Sequence, residues 1–262
     1  MGTSAGYKPP SGGNWTSLKR QMGMLLDEPN KKELVLSKFI TAIGGAERFS
    51  SSNRPIGTSA TSGSGRGGKS GTGGKSFKSS SARKTSQNVL GFFSDIGTNG
   101  LSQVLQDRNI DLSDKNLDEI KETLIDYFTE PSTDGDTDAS SRAIATVMDD
   151  IFNDISTEEE LEEYFNDVIS TDKAEKILCG FYENYIFELF ARTFFEDRTQ
   201  HSNQNDTVEI LDIVKETIKS KISRHQCSAN LQNIDFKSQD GANFVQGILS
   251  DILEILEDVQ NV

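Results

Sequence analysis

Apolar residues recur at intervals of three and four along most of the chain, and this spacing predicts amphipathic helices. The first such segment begins near Asn14, a residue suited to capping a helix, and stops before Pro29. A second segment spans about residues 31–43 and stops at Gly44-Gly45. Together these segments predict a short helical hairpin over residues 14–49.

The same periodicity continues through residues 87–262 and predicts a bundle of helices there. Ser113 is placed to cap one helix, and Ser156 with Glu159 has the spacing of a capping box. A polar loop is expected to precede another helix, which we place at about residues 143–155. No segment shows sustained period-two alternation bounded by hairpin turns, so the sequence predicts an all-α fold.

The most apolar stretch, residues 177–195, is interrupted by Glu183, Glu188 and Arg192. The charges argue against a membrane span, and the apolar residues around them predict a buried core helix at the centre of the bundle. The first thirty residues also lack the long apolar core of a secretory signal. We therefore expect a cytoplasmic protein that makes no membrane contact.

Two segments show no periodicity. Residues 1–13 are rich in Gly, Ser and Pro, which predicts an extended, mobile tail. Residues 50–86 consist largely of Ser, Gly, Thr and basic residues, which predicts a disordered basic linker between the hairpin and the bundle. Its basic residues are Arg54, Arg66, Lys69, Lys75, Lys78, Arg83 and Lys84.

Charge is divided unevenly along the chain. Residues 1–86 carry 14 Lys and Arg against 4 Asp and Glu, a net charge of +10. Residues 87–262 carry 13 against 37, a net charge of −24, and the two parts sum to −14. Because an acidic body repels polyanions, any contact with nucleic acid is expected to use the N-terminal third.

Patterns of catalytic chemistry are weak. Gly63–Ser70 matches the letters of a P-loop, but neither the strand nor the helix that such a loop needs is predicted beside it. The two histidines, His201 and His225, lack zinc-site spacing. Asp134, Asp136 and Asp138 begin like a calcium loop, yet Ala145 stands at the twelfth position. The two cysteines, Cys179 and Cys227, are expected to be reduced thiols. We therefore expect no enzyme, no bound cofactor and no metal.

The N-terminal tail offers a different kind of chemistry. Removal of Met1 would expose Gly2, whose side chain is the smallest of all. An α-amine has a pKa near 8, so it is the most nucleophilic ordinary amine at neutral pH. An unhindered terminal glycine on an extended tail can enter the active site of a partner enzyme.

Short motifs in the chain resemble those of QatB-type proteins of bacterial antiphage islands. The similarity lies in the start Met1-Gly2-Thr3-Ser4, the segment GGAERFSS at residues 44–51, the segment LGFF at residues 90–93 and the aromatic helix near residues 181–195. The resemblance implies an operon with a QueC-like enzyme, an ATPase and a TatD-like nuclease. It also implies that the QueC-like partner attaches a deazaguanine to Gly2, with Thr3 and Ser4 as recognition positions.

Two other hypotheses remain open at this point. The chain could be a nucleic-acid or protein adaptor that uses the basic tract at residues 54–84 and the acidic helical body. It could also be an NTPase that uses Gly63–Ser70. The leading hypothesis remains a non-enzymatic defence component modified at Gly2.

Overall fold

The computed structural model describes residues 13–46, 79–129, 135–170, 172–198, 204–223 and 234–259. These residues form ten α-helices and one 3₁₀ turn, and no strand occurs among them. The all-α prediction is confirmed. No helix in these ranges is long and apolar enough to cross a membrane.

Most of the helices follow one another with short connections, and the longest interval separates the second helix from the third. In chain order they are α1 (Gly13–Gly23), α2 (Lys32–Ile43), α3 (Ser80–Asn99), α4 (Leu101–Asp107), α5 (Leu117–Phe128), α6 (Gly135–Asn153), α7 (Glu158–Asp167), α8 (Lys173–Arg198), α9 (Gln204–Ile222) and α10 (Gln239–Glu257). The 3₁₀ turn, Pro29–Lys31, lies directly before α2.

Two predicted helix caps are wrong by one to three residues. Asn116, rather than Ser113, caps α5, and its side chain and that of Glu119 bond reciprocally to each other's backbone N–H groups. Thr157 caps α7, one residue beyond the predicted Ser156. The predicted and observed caps are all residue types that favour the N-cap position, so residue type alone did not distinguish them.

Helix α3 begins earlier than predicted and shortens the basic linker. It starts at Ser80, so residues 80–86, assigned from sequence to the linker, are helical. Ala82, Thr85 and Ser86 are buried on its inner face. This correction restricts the linker prediction to residues 50–78, which lie outside the described structure.

One hydrophobic core joins all of the helices. Helix α8 is its centre, as predicted, because Tyr182, Ile186, Phe190 and Phe194 are all buried along one helix. A second concentration of aromatic rings joins α3, α5 and α7. There the ring centroids of Phe92 and Phe128 are 5.3 Å apart, and those of Phe93 and Phe165 are 5.1 Å apart.

The predicted hairpin, α1 with α2, packs directly on the helical body. Val35, Leu36, Phe39 and Ile40 of α2 have no exposed surface. The Phe39 ring lies edge-on to Phe190 of α8, with centroids 5.1 Å apart. The hairpin therefore contributes to the same hydrophobic core as the bundle.

Candidate functional site

The residues predicted to carry function lie mostly outside the described structure. Gly2, Thr3 and Ser4 precede Gly13, where the description begins, and Gly63–Ser70 falls between α2 and α3. His201, His225 and Cys227 are also outside it. Within the described part, no group of three or more His, Cys, Asp and Glu side chains is placed to hold a metal ion. Cys179 is partly buried on α8.

The structure does show what anchors the N-terminal tail. Helix α1 buries Trp15, Leu18 and Met22 against α2, at one-turn spacing along one face. Gly13, in the first position of the helix, is exposed and has open space where a side chain would stand. The described structure therefore begins at an exposed position, two residues before a buried tryptophan.

The turn after α2 is held by a carboxylate from α10. Gly45 has a φ of +71°, and a side chain added there would lie 2.8 Å from Oε1 of Glu257. The backbone N–H of Ala46 donates to Oε2 of Glu257 at 3.2 Å, and Thr41 donates its hydroxyl to Oε1 at 3.3 Å. This contact fixes the end of the hairpin to the last turn of α10.

A buried lysine strengthens the same corner. The ammonium group of Lys221, on α9, donates to the backbone carbonyls of Ile255 and Asp258 at the end of α10. It also lies 3.4 Å from the carboxylate of Glu33 on α2. A cation at the C-terminus of a helix complements its dipole, so Lys221 links α2, α9 and α10.

Asp136 fixes the start of α3, the first helix after residues 47–78 in the chain. Its Oδ2 accepts the backbone N–H of Ser81 at 3.0 Å, and its Oδ1 accepts the hydroxyl of Tyr185 at 2.6 Å. The Asp136 carboxylate thus caps α3 from another helix. Burial and the adjacent Asp136 carboxylate raise the pKa of Tyr185 well above its ordinary value, so the phenol remains a donor.

A cleft opens between α6, α8 and α9, which we call the α6–α8 cleft. Its volume is 540 Å³, and its lining residues are Asp138, Ala139, Arg142, Phe187, Glu188, Ala191, Arg192 and Leu211. Because the side chains of Ala139 and Ala191 are small, they leave room for the cleft. The charged lining residues form its rim; they are Asp138, Arg142, Glu188 and Arg192.

The rim charges form loose ion pairs, one within α6 and two between α6 and α8. Nε of Arg142 is 3.4 Å from Oδ2 of Asp138 and 4.0 Å from Oε2 of Glu188. Nη1 of Arg192 is 3.7 Å from Oδ2 of Asp138. Because good charged hydrogen bonds are about 2.7–2.9 Å long, these pairs attract one another without closing the cleft.

The half-buried carboxylates of α8 respond to their surroundings. Burial raises the pKa of Glu188, although the nearby Arg142 acts in the opposite direction. Burial also raises the pKa of Glu183, which lies on the same helix but does not line the α6–α8 cleft. Lys215 lowers both values, and its ammonium group lies 5.4 Å from the centroid of the Phe187 ring.

A known protein family matches most of this chain. The family model described as Qat anti-phage system associated protein QatB matches residues 70–256, more than two thirds of the chain. The chain belongs to the QatB family. The resemblance noted in the sequence is thus confirmed, and the protein is a component of the Qat anti-phage system. Neither a curated protein nor a solved structure matches the chain.

The QatB match covers only part of the folded body. The match covers α3 to the last turn of α10 and leaves out α1, α2 and Glu257. Yet α2 is among the most buried helices. Helices α1 and α2 therefore lie outside the matched segment in sequence, although they belong to the same hydrophobic core in the structure.

Sequence reasoning missed Asp136, Lys221 and Glu257 as structural links. Asp136 stood in a polar run that was interpreted as a loop, and the other two looked like ordinary surface charges. The α6–α8 cleft was also missed. Its one visible signal was the pair Glu188 and Arg192, two opposite charges four residues apart within the most apolar stretch of the chain.

Proposed function

We propose that this QatB-family chain is a non-enzymatic component of the Qat system and that its Gly2 accepts a deazaguanine group. In this proposal Met1 is removed, and the freed amine of Gly2 attacks the activated acyl carbon of the deazaguanine. An amide bond forms, the amine loses a proton, and the bond to the activating group breaks, so that this group leaves on the partner. The QueC-like partner supplies the activated group and the ATP chemistry. Thr3 and Ser4 are the positions that the partner recognises. The ATPase and the TatD-like nuclease complete the set of proposed partners.

The observation that carries this proposal is the anchoring of α1 in the core next to the tail, in a chain that belongs to the QatB family. Trp15 is only 6% exposed, so the base of the tail is fixed. Gly13 lies eleven positions after Gly2. A chain of that length spans at most about 36–40 Å when fully extended, enough to enter a partner's active site while the body stays outside.

The charges that join helices support a non-enzymatic role. Asp136 caps α3, Lys221 caps α10, and Glu257 holds the turn after α2. Each of these groups is engaged in joining helices, and its contacts account for its position in the fold. We propose that the catalytic chemistry of the system belongs to partner proteins.

Mass spectrometry of the N-terminal peptide tests the proposal. The full chain is expressed with and without the QueC-like partner, and we expect an added mass on the Gly2 peptide only when the partner is present. Gly2→Ala should abolish the addition, whereas Thr3→Ala and Ser4→Ala should slow it.

Gly13→Ala is the matched control for that experiment. It makes the same chemical change at the base of the tail, where an added Cβ meets no atom within 4 Å. It should leave the modification intact. If the Gly2 peptide has the same mass with and without the partner, or if Gly2→Ala is still modified on that peptide, the acceptor proposal is wrong.

A further inference from the structure

We propose that the α6–α8 cleft binds a planar heteroaromatic base that carries the amino and oxo groups of guanine. The proposal starts from the chemistry of the rim. Arg142 supplies guanidinium donors, and Glu188 supplies carboxylate acceptors on the opposite helix. Their nearest polar atoms are 4.0 Å apart, so both retain hydrogen-bonding capacity toward a ligand.

Simpler ligands fit this rim poorly. A small anion would meet the carboxylates of Asp138 and Glu188, and a small cation would meet the guanidinium groups of Arg142 and Arg192. A purely apolar ligand would cover all four charges without offering any hydrogen bond, which is unfavourable. A ligand that presents donors and acceptors side by side, with no net charge, satisfies both signs at once.

The floor of the cleft determines the shape of the ligand. Phe187, Ala191 and Leu211 line it with an aromatic ring and small or aliphatic groups. Flat aromatic ligands pack well on such surfaces, while a few polar groups at the edge fix their orientation. The volume of 540 Å³ is ample for a base together with the group to which it is attached.

Guanine matches this arrangement through its pairing edge. Its N1–H and 2-amino groups can donate together to the two oxygens of Glu188, and its O6 can accept from Arg142. Adenine has the opposite pattern at the same edge, since it lacks the N1–H donor and the O6 acceptor. The cleft should therefore discriminate between these two bases.

This ligand chemistry has two possible sources. One is a free guanine-type nucleoside, and the other is the deazaguanine attached to the tail of the same chain, which carries the same amino and oxo groups. The second source rests on the proposed function. In that case the modified tail would fold back into the α6–α8 cleft.

Calorimetric titration of the full, unmodified chain with guanosine, and separately with adenosine, tests the proposal. We expect guanosine to bind and adenosine to bind at least about tenfold more weakly, as loss of a bidentate base contact implies. Glu188→Gln should weaken guanosine binding by about tenfold or more for the same reason. Glu183→Gln is the matched control, because Glu183 is a second half-buried carboxylate on α8 that lies outside the cleft.

Arg142→Gln provides an independent variant at a residue whose side chain is 64% exposed, so the fold should tolerate it. It should also weaken guanosine binding. If guanosine fails to bind at millimolar concentration, binds no better than adenosine, or binds both cleft variants as well as the parent, the proposal is overturned.

A final titration distinguishes the two sources. If the modified tail occupies the cleft, protein carrying the added mass on Gly2 should no longer bind guanosine. If it binds guanosine as well as the unmodified chain does, the cleft serves a free base and the fold-back idea is wrong. The state of Gly2 is read separately by mass spectrometry, so failure of the acceptor proposal cannot be mistaken for failure of the cleft proposal.

Discussion

Replacing Phe39 by alanine is expected to destabilise the whole protein by about 3–5 kcal/mol, the usual cost of truncating a fully buried phenylalanine. Phe39 has no exposed surface, and its ring meets Phe190 edge-on at 5.1 Å between centroids. That aromatic pair adds about 0.5–1.5 kcal/mol beyond the buried area and places the variant toward the upper end of the range. Because Phe190 belongs to the central helix, the loss should reach the body as well as the hairpin.

Urea unfolding followed by far-ultraviolet circular dichroism measures this change. We expect a single transition whose midpoint shifts to lower urea, with little change in its slope. Phe152→Ala serves as the control, because Phe152 is a half-buried phenylalanine on α6 and should cost less. A loss below about 1 kcal/mol, no more than an average substitution costs, would show that α2 is not part of the common core. So would a separate early transition that leaves the main one unmoved.

Three further changes test the contacts between helices. Tyr185→Phe and Asp136→Asn should each destabilise the protein, and urea titration of both single variants and the double variant should give a coupling of about 1–3 kcal/mol, since hydrogen bonds to charged groups are strong. Burial raises the pKa of Glu183, so ionising this carboxyl costs more in the folded state than in the unfolded state. The stability of the fold is therefore greatest below the ordinary pKa of the group and falls as pH rises through the raised value. Glu183→Gln should therefore raise the melting temperature at pH 8, with a gain that shrinks toward pH 5 in scanning calorimetry; an equal gain at both pH values would contradict this. Gly45→Ala should cost about 1–2 kcal/mol in the same urea assay because its φ is positive. In the double variant with Glu257→Ala, only the part of this cost that comes from the clash with the Glu257 side chain should disappear. If Gly45→Ala leaves the free energy of unfolding unchanged, the assignment of a strained positive φ to this position is wrong.

The helices could be predicted from the sequence because each buries a stripe of apolar residues with the period of an α-helix. Their starting points were harder to predict. Helix α6 begins at Gly135, eight residues before the predicted start at Ala143. The run from Gly135 to Asp138 has the composition of a loop, but Asp136 bonds to Ser81 and Tyr185, and those distant contacts stabilise a helix there. No local pattern contains that information.

The candidate sites show the same division. The tail and its Gly2 were found from composition and family resemblance, and their role remains a prediction. The α6–α8 cleft depends on Ala139 and Ala191 standing at the same crossing of two helices. Small residues are common in helices, so neither alanine marks a cavity until the packing partner is known.

The two acidic contacts on either side of residues 47–78 have a consequence for how the molecule can be divided. Glu257 holds Ala46, and Asp136 holds Ser81. A peptide bond cut between these positions would leave the N-terminal fragment packed in the body through α2. The protein should therefore be divisible at this segment. Its two fragments, made as separate polypeptides, should associate and restore the native fold without a covalent connection.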